Sequence, residues 1–373
     1  MMHRGRWMLV LLAAALIAAA IYLSTARRAD RPAGVDERLY PALEASLDDI
    51  TTIRIKGPGD TTVVTLQRAE TLWQVAERSD FPADSSRVRT LLLGLAQART
   101  LEEKSSLPAN YPALGVEDLT AQGATGTGVE LDGLADPVSL IVGKSPGARS
   151  SYVRRKGEAA SWQIGTAITV ERDPAKWLAT ELLDVGAGRI QSAGVAVAGK
   201  RPWSMAKASR ADLNFTVTGK PAGGSASAAD SSTDLVTTAL AALRLVDVRP
   251  AADPAKDKPA ATATYRTFDG LVLAIDGYAD GDKRYLRVRA SVDEAAPRRF
   301  FAAPAPPADK DAAAEASTAK VSVAAPAADK PAELSTPESV LAQTRAEVSK
   351  LEARLNGRSF EIPSWSYDAI FAQ

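Results

Sequence analysis

The side chains that could perform catalysis are limited to carboxylates, lysines, tyrosines and serines. The chain contains no cysteine, and its single histidine, His3, precedes a long apolar run near the N-terminus. This composition excludes thiolate nucleophiles, thiolate metal sites and disulfides, and it excludes histidine-dependent triads and histidine metal ligands from the rest of the chain. We predict that the protein is not an enzyme and holds no metal and no cofactor.

The carboxylates form only weak candidate sites. Asp276, Asp280 and Asp282 lie close together beside a glycine, but their spacing does not match a twelve-residue calcium loop with its terminal glutamate. Adjacent acids such as Asp48 and Asp49 have nothing in the sequence that would make them face each other as a glycosidase pair. A hydrolase that uses carboxylates alone remains an alternative, which two facing acids in a cleft would support.

One stretch of the chain concentrates positive charge and supplies the candidate partner-contact residues. They are Arg284, Arg287, Arg289, Arg298 and Arg299. Arg287 and Arg289 would share one face of a strand, because alternate residues of a strand point to the same side. Two interpretations are open: a solvated sheet face, or a surface that contacts an anionic partner or lipid headgroups.

The overall charge argues against a nucleic-acid partner. Forty-five basic residues balance forty-five acidic ones, so the formal net charge is zero. Proteins that bind nucleic acid usually carry a basic excess or a basic face. The glycines Gly123, Gly126 and Gly128 do not form the G-x-G-x-x-G pattern between a strand and a helix, so no dinucleotide site is predicted.

An uncharged apolar run over residues 7–23 is bounded by Arg6 and Arg27. A helix rises about 1.5 Å per residue, so this run is just long enough for a bilayer core of about 30 Å. We predict a single membrane-spanning helix in a bacterial inner membrane, with residues 1–6 in the cytoplasm and the bulk of the chain in the periplasm. A signal peptide cleaved near residues 24–26 is the alternative.

Beyond this run, short strand patterns are followed by one helix pattern. Ile53 and Ile55 alternate with polar residues, and another short strand carries Trp73. Residues 88–98 then repeat apolar side chains at helical spacing, after residues that can cap a helix. Further strands follow. Many strands with few helices favour an antiparallel α+β fold.

The same pattern returns in the second half of the chain. Val195 and Val197 take the places of Ile53 and Ile55, and an aromatic residue, Phe215, takes the place of Trp73. A second helical stripe is predicted over residues 236–246. We predict two repeated modules, each an antiparallel sheet with a helix. Both aromatic residues are interpreted as core plugs under their helices rather than as ligand platforms.

The predicted organisation includes one segment rich in Ala, Pro, Lys, Asp and Ser. Such a segment cannot bury enough apolar surface to offset its chain entropy. The predicted segments are a cytoplasmic N-terminus over 1–6, a transmembrane helix over 7–23, a linker over 24–43, a first α+β module over 44–185, a second over 186–301, a disordered Ala/Pro-rich insertion over 302–336, and a C-terminal helix and strand over 337–373 packed on the second module.

Several short motifs resemble those of bacterial membrane-anchored proteins with a "domain of unknown function 4340". They are LWQV at 72–75, YPALGV at 111–116, LIVGK at 140–144 with YV at 152–153, TFDGL at 267–271 and GRSFEIP at 357–363. The resemblance implies a periplasmic accessory protein, since some relatives occur beside ABC-type transport components of the kind linked to gliding motility. It supplies no catalytic residues.

These observations support one leading hypothesis and one alternative from a different class. The leading hypothesis is a non-catalytic, membrane-anchored periplasmic accessory or scaffold protein, an auxiliary subunit of an ABC-type transport complex, with transporter subunits as partners. The alternative is a periplasmic binding module for a glycan, lipid or peptide in a groove between the two repeats. Exposed aromatic side chains along that groove would favour the alternative, and aliphatic packing would count against it.

Overall fold

The computed structural model describes residues 35–219, 226–251, 258–301 and 336–373. The chain divides into two compact units that meet between Leu178 and Ala179. The predicted N-terminus, the predicted membrane helix, most of the linker and residues 302–335 of the insertion lie outside the described residues. Within the described ranges, no helix is both long enough and apolar enough to cross a membrane.

The first unit is built on one antiparallel sheet. Its strands are β1 (Thr52–Lys56), β2 (Thr62–Ala69), β3 (Leu72–Val75), β4 (Phe81–Pro82), β5 (Thr100–Ser105), β6 (Thr127–Asp132), β7 (Val138–Val142), β8 (Ser151–Arg155) and β9 (Ser161–Ile164). They are ordered β4-β3-β2-β1-β6-β7-β8-β9-β5 across the sheet. The helices of the unit are α1 (Ser85–Gln97) and α2 (Tyr111–Leu114).

The alternation of side chains explains the two faces of the first sheet. Ile53 and Ile55 of β1 are fully buried on one side, called here the inner face. Arg54 lies between them on the opposite, outer face, where it pairs with Glu130 of β6. Helix α1 begins after Asp84, whose side chain accepts hydrogen bonds from the first helical N–H groups. These features agree with the alternation and capping patterns in the sequence.

The second unit has a larger set of strands. They are β10 (Glu181–Leu183), β11 (Ile190–Val197), β12 (Trp203–Ala206), β13 (Thr216–Thr218), β14 (Leu243–Arg244), β15 (Asp247–Pro250), β16 (Ala261–Thr267), β17 (Leu271–Asp280), β18 (Lys283–Val292) and β19 (Arg358–Ile362). The main sheet is ordered β13-β12-β11-β16-β17-β18-β19-β15, and β10 pairs with β14. The helices are α3 (Ala226–Thr238), α4 (Ala295–Phe300), α5 (Pro337–Leu355) and α6 (Ser364–Ile370).

Two boundaries differ from those inferred from the sequence. The helical stripe predicted to continue to residue 246 ends with α3 at Thr238, because Leu243 enters strand β14 instead. The sequence placed the boundary between the modules at residue 185, whereas the two units divide after Leu178. The boundary is earlier because strand β10, which precedes residue 185, pairs with β14 of the second unit.

The C-terminal segment is built into the second unit. Strand β19 lies between β18 and β15 in the sheet. Helix α6 packs on the inner face, the side of β17 that carries Ile275 and Gly277. A Cβ atom at Gly277 would lie 2.5 Å from the ring of Phe371, so only glycine allows this approach. The hydroxyl of Tyr265 donates to the carbonyl oxygen of Ile370 at 3.3 Å.

The two main sheets have the same strand order. The first reads β3-β2-β1-β6-β7-β8-β9-β5 once the short edge strand β4 is set aside, and the second reads β13-β12-β11-β16-β17-β18-β19-β15. In each unit, one helix lies in sequence between the first and the last strand of this order. Helix α1 lies between β3 and β5, and helix α3 lies between β13 and β15. The protein is therefore an antiparallel α+β protein in both units, which confirms the predicted class.

Candidate functional site

Three of the motifs recognised in the sequence converge on the outer face of the first sheet. Helix α2 and the turn after it pack over β7 and β8. Tyr111, Val116, Leu119 and Ile141 form a buried cluster there. The turn requires Gly115, which has a φ of 72° that side chains other than glycine rarely adopt. The segment 106–126 that carries this turn is called the pad below.

Gly143 and Lys144 attach the pad to strand β7. The backbone N–H of Lys144 donates to the carbonyl oxygen of Leu114 at 2.9 Å. Its ammonium donates to the carbonyl oxygens of Pro112 at 3.1 Å and Ala113 at 3.0 Å. These bonds satisfy carbonyls at the end of α2 that lack helical partners. A Cβ atom at Gly143 would lie 2.4 Å from the Leu114 carbonyl oxygen, so the pad approaches the strand only over a glycine.

A buried arginine, Arg154 of β8, holds the other end of the turn. Arg154 is only 3 % exposed. Its Nε donates to the carbonyl oxygen of Val116 at 2.7 Å, and its Nη2 donates to the Asp118 carboxylate. The guanidinium also lies 4.6 Å from the ring centroid of Tyr111, whose hydroxyl donates to the Ala159 carbonyl at 2.6 Å. Removal of this arginine would leave the buried carbonyl oxygen of Val116 without its donor, whereas the Asp118 side chain is exposed to solvent.

Glu117 is a buried charged side chain within the pad itself. Its Oε1 accepts from the backbone N–H of Thr125 at 2.7 Å and from the Thr125 hydroxyl at 3.2 Å. Its Oε2 is enclosed without a hydrogen-bond partner among the described residues. The polar groups of this site therefore fix the pad on the sheet.

The five arginines predicted to contact a partner lie in three different places. Arg287 and Arg289 share the outer face of the second sheet, as their spacing in β18 predicts, but Arg287 is buried there and Arg289 is exposed. Arg284 belongs to the opposite side of the same strand, where it donates to nearby backbone carbonyls. Arg298 and Arg299 lie in the last turn of α4. The sequence cluster is thus not a single basic patch.

The outer face of the second sheet carries stacked tyrosines and arginines. Tyr278 of β17 and Tyr285 of β18 are directly opposite in register. The guanidinium of Arg287 lies 4.3 Å from the ring centroid of Tyr278, and that of Arg249 lies 3.5 Å from the ring centroid of Tyr285. Cation–π contacts of this kind contribute about 0.5–2 kcal/mol each. Both rings are buried in consequence, although they lie on the outer face.

Carboxylates are interleaved with these cations. Arg289 donates to Asp276 at 2.8 Å, and Lys283 donates to Glu361 at 2.8 Å. The hydrogen bond from Lys283 to Glu361 raises the pKa of the lysine, and burial together with the Glu361 charge raises the pKa of Tyr285. The face is therefore balanced in charge, while the side chain of Arg289 remains 66 % exposed.

A comparison with known protein families identifies the group to which these features belong. The profile of the family described as "Domain of unknown function (DUF4340)" matches residues 73–263. The chain belongs to this family. The match runs from β3 to β16 and includes the whole pad, and it confirms the resemblance drawn from the short motifs. No curated protein and no solved structure matches the chain.

The family match and the predicted contact residues fall on different parts of the chain. The pad and its lock lie within residues 73–263, whereas Arg284 through Arg299 lie beyond them. Sequence reasoning missed Arg154 and Glu117. Arg154 could have been singled out because it directly follows the YV motif at 152–153. Its burial could not be predicted, since it depends on the pad, which lies more than thirty positions earlier in the chain. Among the described residues, no group of three or more acidic side chains could hold a metal ion.

Proposed function

We propose that this DUF4340 member is a non-catalytic accessory protein anchored in the bacterial inner membrane, with its two sheet units in the periplasm. Within this proposal it acts as an auxiliary subunit of a membrane complex of the ABC-transport type. The apolar run over residues 7–23 and its flanking charges support the anchor. The resemblance to periplasmic accessory proteins supports the association with a transporter.

One structural difference carries the proposal. The pad, which lies in the connection between Ser105 and Thr127, covers the part of the first sheet's outer face that β7 and β8 form. In the second unit the corresponding connection, between Pro250 and Ala261, is about half as long. The outer face of the second sheet presents Arg289 to solvent beside the stacked tyrosines and arginines. A sheet face with interleaved charges suits a polar protein contact better than it suits catalysis.

We also propose that the two units arose by internal duplication. The identical strand order supports this origin, as does the equivalent position of Trp73 in β3 and Phe215 next to β13. After a duplication, one unit can keep a covered sheet face that stabilises it, while the sheet face of the other unit diverges. The accessory role requires only one such diverged face.

Crosslinking in intact cells, followed by purification through a C-terminal tag, tests the accessory role. Mass spectrometry should then recover integral membrane subunits of a transporter together with this chain. Recovery of the chain alone, under conditions that retain a known membrane complex from the same cells, would contradict the proposal. A variant without residues 1–23 serves as the control, because it should lose the membrane partners if the anchor places the protein beside them.

A further inference from the structure

A groove in the first unit has the size of a ligand site. It lies between the 3-10 segment Leu43–Asp49, the β2–β3 hairpin and helix α1, and its volume is about 630 Å³. Ligand pockets commonly enclose about 300–1,000 Å³. Leu47, Leu92 and Leu93 contribute apolar surface to its lining. The residues that line the groove lie in the first unit.

Trp73 lines this groove and has an unused hydrogen-bond donor. The residue is 9 % exposed and lines the groove. Its indole N–H has no hydrogen-bond partner among the described residues, and it is not enclosed by protein atoms. The small exposed part of the side chain must therefore include this N–H group. An indole that is nine-tenths buried usually bonds its N–H, so the open donor marks a place for an acceptor.

Two arginines stand at the same groove. Arg68 donates to the backbone carbonyl of Asp48 at 2.6 Å and lies 3.7 Å from that residue's carboxylate. Arg89 forms no ion pair and no hydrogen bond within the described part of the chain, and it also lines the groove. The remaining acid of the lining, Glu44, is already paired with Arg38. The lining thus keeps one positive charge that no neighbouring acid compensates.

We propose that this groove binds a small anionic ligand with an apolar part. The carboxylate or phosphate group of the ligand accepts hydrogen bonds from Arg89 and from the indole N–H of Trp73, with Arg68 beside them. The apolar part lies on Leu47 and Leu92. Arg89 and the indole N–H of Trp73 have no acceptor among the described residues, and anions form the strongest hydrogen bonds with guanidinium groups. This binding function goes beyond the accessory role.

The second half of the chain provides a natural control for the site. Phe215 occupies the position of Trp73, so the indole donor is missing there. Thr237 occupies the position of Arg89 when the buried Val236 is aligned with Val88. The duplicated scaffold therefore tolerates both replacements in a folded unit. Trp73→Phe and Arg89→Thr should remove the donors and leave the fold intact, which unfolding curves of each variant will check.

The test uses the full chain in phosphatidylcholine nanodiscs, labelled with 5-fluorotryptophan. Of its six tryptophan signals, the one that disappears in Trp73→Phe belongs to Trp73. Hexanoate and hexyl phosphate should shift the Trp73 signal in a saturable way, whereas hexylammonium should not. Inorganic phosphate should bind at least tenfold more weakly than hexyl phosphate, because it cannot use the apolar lining. A shift in phosphatidylglycerol nanodiscs without added ligand would assign the anion to a lipid headgroup, and its absence would assign it to a soluble molecule.

Calorimetric titration of the variants supplies the second measurement. Arg89→Thr should weaken hexyl phosphate binding about tenfold, the loss expected for one charge-assisted hydrogen bond, and Trp73→Phe should weaken it about fivefold. Arg87→Thr, on the same helix but outside the groove, should leave the affinity unchanged. Equal shifts with hexylammonium, equal affinity for inorganic phosphate, or unchanged affinity in Arg89→Thr would each overturn the proposal.

Discussion

The outer faces of the two sheets differ although the strand order beneath them is the same. On the first face, the pad covers β7 and β8; glycines allow its close approach, and a buried arginine, Arg154, fixes it in place. On the second face, arginines stack on Tyr278 and Tyr285. The same strand order thus supports two kinds of outer face. On the first, the buried charge of Arg154 holds the pad in place; on the second, an exposed charge, that of Arg289, is accessible to a partner.

Replacement of Arg154 should show the largest difference between the two faces. Arg154→Ala leaves the Val116 carbonyl and the Asp118 carboxylate without their donor. Loss of the donor to a buried carbonyl costs about 1–3 kcal/mol, and truncation of a side chain that is only 3 % exposed adds a packing loss, so we expect about 3 kcal/mol in total. Denaturant unfolding measures the loss, and hydrogen exchange should rise over residues 111–119.

The matched control on the second face is Arg289→Ala. The side chain of Arg289 is 66 % exposed, so its ion pair with Asp276 should contribute at most about 1 kcal/mol. A loss of similar size in both variants would remove the distinction between a structural face and an accessible face.

Gly143→Ala tests how closely the pad approaches strand β7. The added Cβ would meet the backbone oxygens of Leu114 and Gly115 at 2.4 and 2.8 Å, so the pad must move away from β7. We expect a loss of about 2 kcal/mol, as for other overpacked sites. Gly147→Ala is the control, because its Cβ would meet only the Ser150 hydroxyl at 4.0 Å. If both variants unfold alike, the pad does not rest on the strand as described.

The stacked layer of the second face should contribute less. Arg249→Ala removes the guanidinium over Tyr285 and its exposed ion pair with Asp280. We expect a loss of about 0.5–1 kcal/mol in the free energy of unfolding. Arg249→Lys should recover only part of it, since a lysine ammonium lacks the planar group that stacks on the ring. Full recovery by lysine would show that charge alone, and not stacking, stabilises this face.

The smallest effect should be a pH dependence of the first outer face. A hydrogen bond from Lys156 holds the pKa of Asp60 below its ordinary value, and lysine hydrogen bonds likewise outweigh burial at Glu130. A carboxyl whose folded pKa is depressed contributes stability above its ordinary pKa and loses it as the pH falls through the folded value. Lys156→Met should therefore lower stability at neutral pH and have less effect in acid. An equal loss at both pH values would exclude this linkage.

Local patterns predicted much of the secondary structure. The alternation of Ile53 and Ile55 and the capped stripe of α1 are both present in the structure. Helix α5 begins at Pro337, where the sequence placed the start of a C-terminal helix. Each of these features depends on residues that are neighbours in sequence, which is why periodicity and capping rules detect them.

Features that depend on distant residues were not predictable in the same way. The sequence did not show that β19 would enter the main sheet between β18 and β15, since this pairing joins segments far apart in the chain. For the same reason the burial of Arg154 was missed, and the run of arginines suggested a basic patch. Strand alternation and nearby acids such as Asp276 divide that run among surfaces and neutralise part of it.

Site-specific photocrosslinking in intact cells tests the contrast between the two faces most directly. A photoreactive residue is placed at Arg289 on the second outer face and, in a separate variant, at Arg54 on the first, where the side chain is 38 % exposed. We expect a crosslink to an integral membrane protein from position 289 and none from position 54. Crosslinks of equal yield from both positions, or a crosslink from position 54 alone, would contradict the assignment of the second sheet as the contact surface.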